Sequence, residues 1–215
     1  SETFLYPRQA GSLYHTTKVL DTDLLWFYVR LKGLAVTDLM QGPVYGILTP
    51  EAEMDDRLLP VFNYDDIFGT VLNRFLVQAV AGEPLTVYGK GGQTRGYLDI
   101  RDTIACVRLA LEHPAKPGQL RILNQFTETF TVNDLAGIVH EAGADLGLTV
   151  AVEHMDNPRK EAEEHYYNPA HSGLTDLGLK PHLLTRESAA AMLHTIRRHA
   201  ARIDRGLVRP RVRWS

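Results

Sequence analysis

Hydrophobic positions along the chain recur at two different spacings, and together they predict alternating helices and strands. Apolar residues at three- and four-residue steps from Leu13 to Leu31 predict a helix over residues 12–31, which ends at Gly33. The β-prone run over residues 34–46 predicts a strand and a turn directly after that helix. A helix followed by a buried strand is half of a parallel βαβ arrangement.

The alternation continues towards the carboxyl end of the chain. Residues 47–68 are acidic and irregular, and we interpret them as a long surface loop with short structured pieces. Asp102 is the candidate cap of the helix that Pro114 ends. Either Thr131 or Asn133 is the candidate start of the next helix. The last predicted helix begins near Thr185. The further predicted helices cover residues 70–81, 103–114, 132–147 and 185 onward, and the further predicted strands cover 84–89, 97–100 and 120–126.

The sequence is therefore that of an α/β protein, but it has no glycine-rich fingerprint. A nucleotide-binding βαβ domain normally opens with a strand and a Gly-x-Gly-x-x-Gly turn that begins a helix and holds a pyrophosphate. The glycine-rich run at residues 89–96 comes closest, yet it joins two short strands. We therefore expect the chain to begin in the middle of a domain.

Composition narrows the class of function. Of the 215 residues 44% are hydrophobic and 23% are charged, as in ordinary globular proteins, and the net charge of -3 argues against a general nucleic-acid binder. No apolar run approaches the roughly 20 residues that cross a bilayer, and no signal peptide is visible, so no membrane insertion is expected. Cys106 is the single cysteine, which fits a reducing compartment and predicts a buried structural thiol.

Tyr14 and Lys18 form the clearest candidate for chemistry. Their spacing of four residues puts both side chains on one face of the predicted helix. A phenol with a pKa of about 10 is a poor base, but a nearby ammonium group stabilises the phenolate and lowers that pKa. Such a spacing is frequent by chance; its place just before a strand that ends in QGPVYG favours an acid–base pair.

These segments resemble the extended short-chain dehydrogenase/reductases, and within them the group of UDP-sulfoquinovose synthases. YHTTK, DLMQGPVYG and LTVYGKGGQTR match the wider family. The resemblance to the narrower group runs from Tyr6 to Trp214 and is carried by residues 6–18, 63–75, 84–103, 123–136 and 157–168. It covers only the second half of those enzymes; the other half holds the glycine-rich fingerprint and a catalytic threonine segment.

The resemblance implies a specific reaction, the conversion of UDP-glucose and sulfite to UDP-sulfoquinovose. NAD oxidises the sugar at C4, water is eliminated across C5 and C6, sulfite adds at C6, and C4 is reduced again. The resemblance makes Tyr14 the base at the C4 hydroxyl and Lys18 its partner. Gln41, Gly42, Pro43 and Val44 line the nicotinamide, with Gln41 also near the substrate; the family often has valine at the position of Pro43.

Further site residues follow from the same comparison. His15 faces either the substrate, where it suits proton transfer at C6 or contact with sulfite, or solvent. Gly69, Thr70 and Val71 begin a helix whose free N–H groups suit a pyrophosphate, although Thr70 is equally compatible with a plain helix cap. Arg95 is expected to reach phosphate oxygens from the glycine-rich turn, and Tyr88 and Gly89 to bound the uridine pocket.

The run over residues 157–168 is peculiar to the resembled group. Glu161, Glu164 and His165 suggest a metal, but no second His or Cys pair lies at ligand spacing, so we expect no metal site. The run suits a nucleotide better, and the residues assigned to it are Arg159, His165, Tyr166, Tyr167 and Asn168. The basic tail beyond residue 200 is interpreted as a solvated end.

The expected architecture is the rear part of a Rossmann-like NAD-binding domain interleaved with a small α/β substrate domain. The NAD-binding domain takes residues 1–46 and 96–128, the substrate domain takes 47–95 and 129–185, and a helix with its tail takes 186–215. A cytoplasmic enzyme is expected, or one of the plastid stroma in a plant or alga. UDP-glucose and sulfite are its expected partners, with a homodimer and a sulfite-delivering protein left open.

Two alternatives remain at this point. A UDP-sugar 4-epimerase or 4,6-dehydratase would share Tyr14, Lys18 and Arg95, whereas His15 and the EEHYYN segment argue against it. A UDP-sugar-binding fragment without turnover is the second alternative, favoured by the missing fingerprint. For the chain by itself we expect no catalysis, no retained NAD, and poor solubility or partial disorder, because a sheet edge and apolar helix faces would be left open.

Overall fold

The computed structural model describes residues 12–156 and 169–209, in which helices alternate with short strands. The helices are α1 Leu13–Lys32, α2 Pro50–Met54, α3 Val71–Ala81, α4 Ile100–Glu112, α5 Val132–Asp145, α6 Gly173–Asp176, α7 Arg186–Arg198 and α8 Arg205–Val208, with 3-10 turns at Asp56–Leu58 and Ala200–Arg202. The strands are β1 Val36–Gln41, β2 Val44–Tyr45, β3 Leu85–Tyr88, β4 Thr94–Asp99, β5 Leu120–Gln125, β6 Glu128–Thr131 and β7 Val152–Met155.

One part of the molecule is built on a parallel pair of strands. β1 and β5 run in register from Val36 opposite Leu120 to Gln41 opposite Gln125. Helix α1 packs against both strands, and α6 packs against β5. The parallel arrangement that the helix-then-strand pattern predicted is therefore present.

The larger hydrophobic core lies among α3, α5 and α7. These helices pack on one another, and α3 and α5 also pack on β3, which pairs in parallel with β7. Leu76 of α3, Leu135 of α5 and Leu193 of α7 are fully buried there. A third sheet of β2, β4 and β6 connects the two parts, with β4 central, parallel to β2 and antiparallel to β6.

The predicted helix boundaries were partly wrong in the middle of the chain. Asp102 does not cap α4; Asp99 does, because β4 runs directly into the helix and the Asp99 side chain accepts from the Arg101 N–H at 2.9 Å. Asp102 is instead fully buried in the first turn. The start of α5 is confirmed at Thr131, which forms a capping box with Asp134.

Residues 47–68 contain short structured pieces, as predicted, but part of the segment packs into the larger core instead of lying on the surface. Thr49 caps the short helix α2 by accepting from the Ala52 N–H, and a 3-10 turn follows. Ile47 is buried in the larger core, and Phe62 and Tyr64 pack against it. The acidic side chains obscured this packing because they share the segment with apolar residues that face inward.

The described arginines of the tail, Arg202, Arg205 and Arg209, are exposed as expected for a solvated end, but the tail also makes contacts with the core. Val208 is buried, and its carbonyl oxygen accepts from Gln78 at 3.0 Å. Arg209 donates to Glu83 at 2.8 Å. Cys106 agrees with its prediction, since the thiol is buried and burial raises its pKa. None of the described helices is both long and apolar enough to span a membrane.

Helix α1 forms where its periodicity predicts, but its apolar stripe is not covered by the described residues. Thr22 and Val29 are its buried residues, and the Thr22 hydroxyl donates to Asp38 of β1 at 2.9 Å. The exposed residues include Leu13, Leu20, Leu24, Phe27 and Leu31, with 81% of Leu13 and 57% of Leu31 open to solvent. The spacing of apolar residues predicted the helix correctly. The face of α1 that contacts the sheet, with Thr22 and Val29, is narrower than the apolar stripe.

Candidate active site

The Tyr14–Lys18 pair lies at the exposed amino-terminal end of α1. Ser12 caps this helix by accepting from the His15 N–H, so Tyr14 falls in the first turn. Lys18 Nζ lies 5.7 Å from the centroid of the Tyr14 ring, which puts both groups on one face, as the spacing predicted. Lys18 also donates to Asp21 at 3.0 Å, and this hydrogen bond raises the pKa of the Lys18 ammonium. The lysine is therefore held charged beside the phenol.

His15 lies against the same tyrosine. Its Nδ1 is 2.7 Å from the Ser12 hydroxyl, and its ring meets the Tyr14 ring edge-on with centroids 5.5 Å apart. The two positions considered for His15 were substrate and solvent. Its ring is bonded to the helix cap on one side and lies against the Tyr14 ring on the other, and the residue is exposed.

The carboxyl end of β1 brings four further candidate residues to one turn. Gly42 N–H donates to the Gln125 carbonyl at 2.9 Å, and the Pro43 carbonyl accepts from Leu98 at 3.2 Å. Val44 begins β2 opposite Leu98. A Cβ at Gly42 would lie 2.7 Å from the Gly96 carbonyl oxygen, so glycine is required for this close approach to β4. Gln41 ends β1 with its side chain exposed.

The amino-terminal end of α3 forms a second candidate region. Thr70 is the N-cap residue of α3, but its hydroxyl makes no cap hydrogen bond. Its Oγ1 is buried and has no hydrogen-bond partner within the described residues. Thr70 therefore occupies the cap position of α3 without a side-chain cap hydrogen bond, and its role in phosphate binding stays a prediction.

Arg74, one turn after Thr70, is a candidate site residue that the sequence did not indicate. It is 7% exposed, and its guanidinium carbon lies 5.4 Å from the centroid of the Tyr88 ring. A charged residue inside a helix normally indicates a solvated face, so the helical run VLNRF gave no sign of this burial. The contact depends on β3, which lies more than ten positions further along the chain.

Arg95 was predicted in a glycine-rich turn, but it lies within strand β4, opposite Phe130 of β6. Burial raises the pKa of the neighbouring Tyr97 to about 12, while the charges of Arg95 and Arg74 lower it. Both guanidinium groups therefore act on the same tyrosine. Two cations, Arg74 and Arg95, thus lie near Tyr97, and Arg74 also lies beside the Tyr88 ring and one turn after Thr70. Guanidinium groups are suited to phosphate oxygens.

The turn between β3 and β4 is held by contacts from distant parts of the chain. Gly89 N–H donates to the Met155 carbonyl at 2.8 Å, and His154 Nδ1 lies 2.8 Å from the Gly89 carbonyl. Asn133 donates to the Lys90 carbonyl at 2.8 Å. Strand β7, which carries His154 and Met155, was not predicted, because its residues are exposed and do not alternate. The turn is thereby fixed beside Tyr88.

A buried acidic cluster connects the sheets behind this region. His182 Nδ1 and its backbone N–H lie 2.6 and 2.9 Å from the two carboxylate oxygens of Asp102. The Tyr45 hydroxyl donates to Glu128 at 3.1 Å, and the Leu184 N–H donates to the same carboxylate. Burial raises the pKa of Glu128 and of Tyr45. These bonds fasten the segment before α7 to β2, α4 and β6.

Some of the predicted site residues lie outside the described residues. These are Arg159, His165, Tyr166, Tyr167 and Asn168, together with the metal candidates Glu161 and Glu164. Among residues 12–156 and 169–209 no group of three or more histidine, cysteine, aspartate or glutamate side chains is arranged to hold a metal ion.

A sequence profile described as the NAD dependent epimerase/dehydratase family matches residues 1–124, more than half of the chain. The chain belongs to this family. The Tyr-x-x-x-Lys helix and the Gln41–Val44 turn both lie within the matched residues. The family resemblance drawn from the motifs is confirmed.

Two curated relatives extend the similarity over the whole chain. The chloroplastic UDP-sulfoquinovose synthase of Spinacia oleracea is 52% identical over 215 residues, which cover 100% of this chain and 45% of the relative. The UDP-sulfoquinovose synthase of Sulfolobus acidocaldarius is 45% identical over 99% of this chain and 54% of the relative. The chain thus spans about half the length of these relatives.

Solved structures agree on the fold. The UDP-glucose 4-epimerase of Thermus thermophilus in complex with NAD aligns with a TM-score of 0.66 at 23% identity, over 89% of this chain and 56% of that one. At this identity the likeness concerns the fold alone. The predicted α/β class with Rossmann-type topology is confirmed.

Proposed function

We propose that the chain provides the carboxyl-terminal half of an NAD-dependent UDP-sulfoquinovose synthase, which converts UDP-glucose and sulfite to UDP-sulfoquinovose and water. The observation that carries the proposal is the identity of 52% and 45%, sustained over essentially the full chain, to two relatives of that name. A 4-epimerase or 4,6-dehydratase is less well supported, since the epimerase structure described above is only 23% identical.

In this proposal Tyr14 removes the proton of the sugar C4 hydroxyl, and later returns it. Lys18, charged and 5.7 Å from the tyrosine ring centroid, stabilises the phenolate during the transfer. NAD supplies the hydride acceptor and donor at C4 when it is bound. His15 is assigned to the proton lost or gained near C6, because its ring borders Tyr14.

The residues of the chain fit the nicotinamide of NAD, but the sequence lacks a binding turn for the pyrophosphate of the cofactor. Gln41, Gly42, Pro43 and Val44 form a turn at the carboxyl end of a parallel strand, where α/β proteins bind ligands, and we assign them to the nicotinamide. The sequence offers no glycine-rich turn at the start of a helix for the pyrophosphate of the cofactor. That contact is assigned to a part of the protein beyond these 215 residues.

The UDP group is assigned to the region around the amino terminus of α3. The backbone N–H groups that follow Gly69, those of Thr70 and Val71, would face the pyrophosphate, with Arg74 and Arg95 as its cations. Tyr88 and Gly89 would bound the uridine. Arg74 is an addition to the set expected from the sequence. By resemblance the same ligand would also engage Arg159, His165, Tyr166, Tyr167 and Asn168.

The domain division is part of the proposal. Residues 1–46 and 96–128 would belong to the NAD-binding domain, residues 47–95 and 129–185 to the substrate domain, and residues 186–215 to a closing helix and tail. Within the described residues β1 pairs with β5 alone, which leaves its other edge open, and the apolar side of α1 is exposed. A further portion of the protein would pack there, in line with the length of the relatives. The homodimer, the sulfite-delivering protein and the cytoplasmic or stromal location stay as expectations of the resemblance.

The reaction is tested in a protein that contains this chain together with the remaining portion found in its relatives. Incubation with UDP-glucose should yield UDP-sulfoquinovose when sulfite is present and no released product without it. Sulfite-independent formation of UDP-galactose would favour a 4-epimerase, and formation of a 4-keto-6-deoxy sugar would favour a dehydratase. Binding of UDP-glucose without any turnover would favour a non-catalytic binding protein.

The isolated 215 residues provide a second test. We expect them to retain no NAD on purification and to catalyse nothing, because the pyrophosphate cradle is missing from the sequence. The absorbance of nicotinamide released on denaturation measures the retained cofactor. Stoichiometric NAD in the isolated chain would show that the cofactor assignment is wrong, whereas recovery of NAD on addition of the missing half would support it.

A further inference from the structure

Gln125 is a buried polar residue beside Gln41 that the proposed roles above do not use. It ends β5 in the register position opposite Gln41 and is 1% exposed. Its Oε1 accepts from Gln41 Nε2 at 3.3 Å, and its Nε2 donates to the Thr103 carbonyl of α4 at 3.3 Å. The amide of Gln125 is therefore bonded at both ends, between a helix and the exposed residue at the end of β1.

The Thr103 carbonyl decides which way both amides point. A backbone carbonyl oxygen can only accept a hydrogen bond, so Gln125 must turn its NH2 group towards α4 and its Oε1 towards Gln41. Gln41 must then turn its own NH2 group towards Gln125. Its Oε1 is left on the side away from Gln125, at the carboxyl end of β1, where the side chain is exposed.

Contacts of Gln125 with the rest of α4 agree with this orientation. Burial raises the pKa of the Cys106 thiol, and a hydrogen bond from Gln125 opposes that effect. Cys106 lies one helical turn after Thr103, so the same NH2 group faces both. The reverse orientation would place Gln125 Oε1 against the Thr103 carbonyl, with two acceptors in contact in a buried position, which is costly.

We propose that Gln125 is a positioning residue, which fixes the amide of Gln41 so that Gln41 presents its oxygen as a hydrogen-bond acceptor to the ligand. The ligand group met there is a hydrogen-bond donor, either the carboxamide NH2 of a nicotinamide or a hydroxyl of the sugar. The identity of that ligand rests on the proposed function, whereas the orientation of the two amides rests on the fold alone.

The orientation is tested by NMR of the side-chain amides in the protein that contains this chain together with the remaining portion found in its relatives. Gln125→Met, close in size but without the amide, should shift the Gln41 NH2 signals and speed their exchange with water. Gln41→Met, at an exposed position, should leave the Gln125 NH2 protons slow to exchange, because Thr103 still accepts from them. Asn124→Ser is the matched control, since Asn124 is the adjacent residue of β5 and bonds to Ala170 instead. Gln41 signals that ignore Gln125→Met would overturn the proposal.

The ligand is tested in the protein that binds NAD and UDP-glucose, with analogues that lack one donor each. 3-Acetylpyridine adenine dinucleotide replaces the carboxamide NH2 with a methyl group, and deoxy analogues of UDP-glucose remove single hydroxyls. The native protein should prefer the donor-bearing member of one pair by roughly three- to tenfold, the value of one hydrogen bond. In Gln125→Met that preference should fall towards one, while Asn124→Ser keeps it.

The outcomes separate this inference from the proposed function. An unchanged preference in Gln125→Met, or no preference in the native protein for any donor, would overturn the role of Gln41 as an acceptor. A protein that binds neither NAD nor UDP-glucose would refute the proposed function and the ligand assignment with it. The NMR experiment would still decide the orientation of the two amides.

Discussion

Replacing Gln78 with leucine should strongly destabilise the larger core. Gln78 lies on α3 with no exposed surface. Its Oε1 accepts from the Thr86 N–H at 3.1 Å, and its Nε2 donates to the Thr86 hydroxyl at 2.9 Å and to the Val208 carbonyl at 3.0 Å. Within the described sheet β3 pairs only with β7. The Gln78 side chain therefore provides the hydrogen-bond partner for Thr86 on the other edge of β3.

The magnitude follows from the groups that would lose their partner. Leucine has a similar volume but neither donates nor accepts. The Thr86 N–H and the Val208 carbonyl would remain buried without a hydrogen bond, at about 1–3 kcal/mol each. The Thr86 hydroxyl can rotate and is not counted. We therefore expect the free energy of unfolding to fall by about 2–6 kcal/mol, a large part of the roughly 5–15 kcal/mol typical of a domain.

The assay is urea unfolding of the protein that contains this chain together with the remaining portion found in its relatives, followed by far-ultraviolet circular dichroism. Gln119→Leu is the matched control, because Gln119 is exposed and the same change there should stay within about 0.5 kcal/mol. Thr86→Val should have an intermediate effect of about 1 kcal/mol, since it removes one acceptor. A loss in Gln78→Leu no larger than that in Gln119→Leu would refute the reasoning about buried partners.

Three further predictions concern the candidate site and its surroundings. Tyr14→Phe in the active protein should lower turnover about 100- to 10,000-fold and leave UDP-glucose binding in place; near-normal turnover would remove Tyr14 from the mechanism. Arg95→Ala should weaken binding of UDP and UDP-glucose alike by roughly 1.5–3 kcal/mol in titration calorimetry, and an equal dissociation constant would contradict the phosphate contact. Burial raises the pKa of Glu128 above its ordinary 4.5, so its stabilising contribution is present below that pH and is lost as the pH rises through the raised value. Urea titrations of Glu128→Gln at several pH values should therefore show a shallower loss of stability with rising pH, and a slope equal to that of the native chain would argue against it.

Local signals explain why much of the fold could be predicted. Gly33 adopts the left-handed conformation that ends α1, and Thr131 and Thr185 both form capping boxes at the starts predicted for α5 and α7. Caps and turns depend on neighbouring residues, so the sequence contains them directly. It was harder to predict which residues lie at the candidate site. Arg74 and Gln125 are polar residues within a helix and a strand, and nothing near them in the sequence indicates their contacts, which are with residues of other elements.

Long-range pairing explains the errors. Strand β7 has no alternating pattern, and its partner β3 lies far earlier in the chain, with Leu85 opposite Val152. Asp102 looked like a helix cap because a short polar residue preceded an apolar run, whereas its carboxylate is taken by His182, 80 positions away. Neither contact can be predicted from residues that are neighbours in the sequence.

The close approach of Gly42 and Gly96 has a consequence for ligand length. A Cβ at Gly96 would lie 2.6 Å from the Phe126 ring, and a Cβ at Gly42 would lie 2.7 Å from the Gly96 carbonyl oxygen. The separation of Gln41 and Arg95, the residues just before these two glycines, is therefore set in part by this close packing of the backbone. A ligand that contacts both must match that separation, so Gly42→Ala or Gly96→Ala would change which lengths of ligand fit.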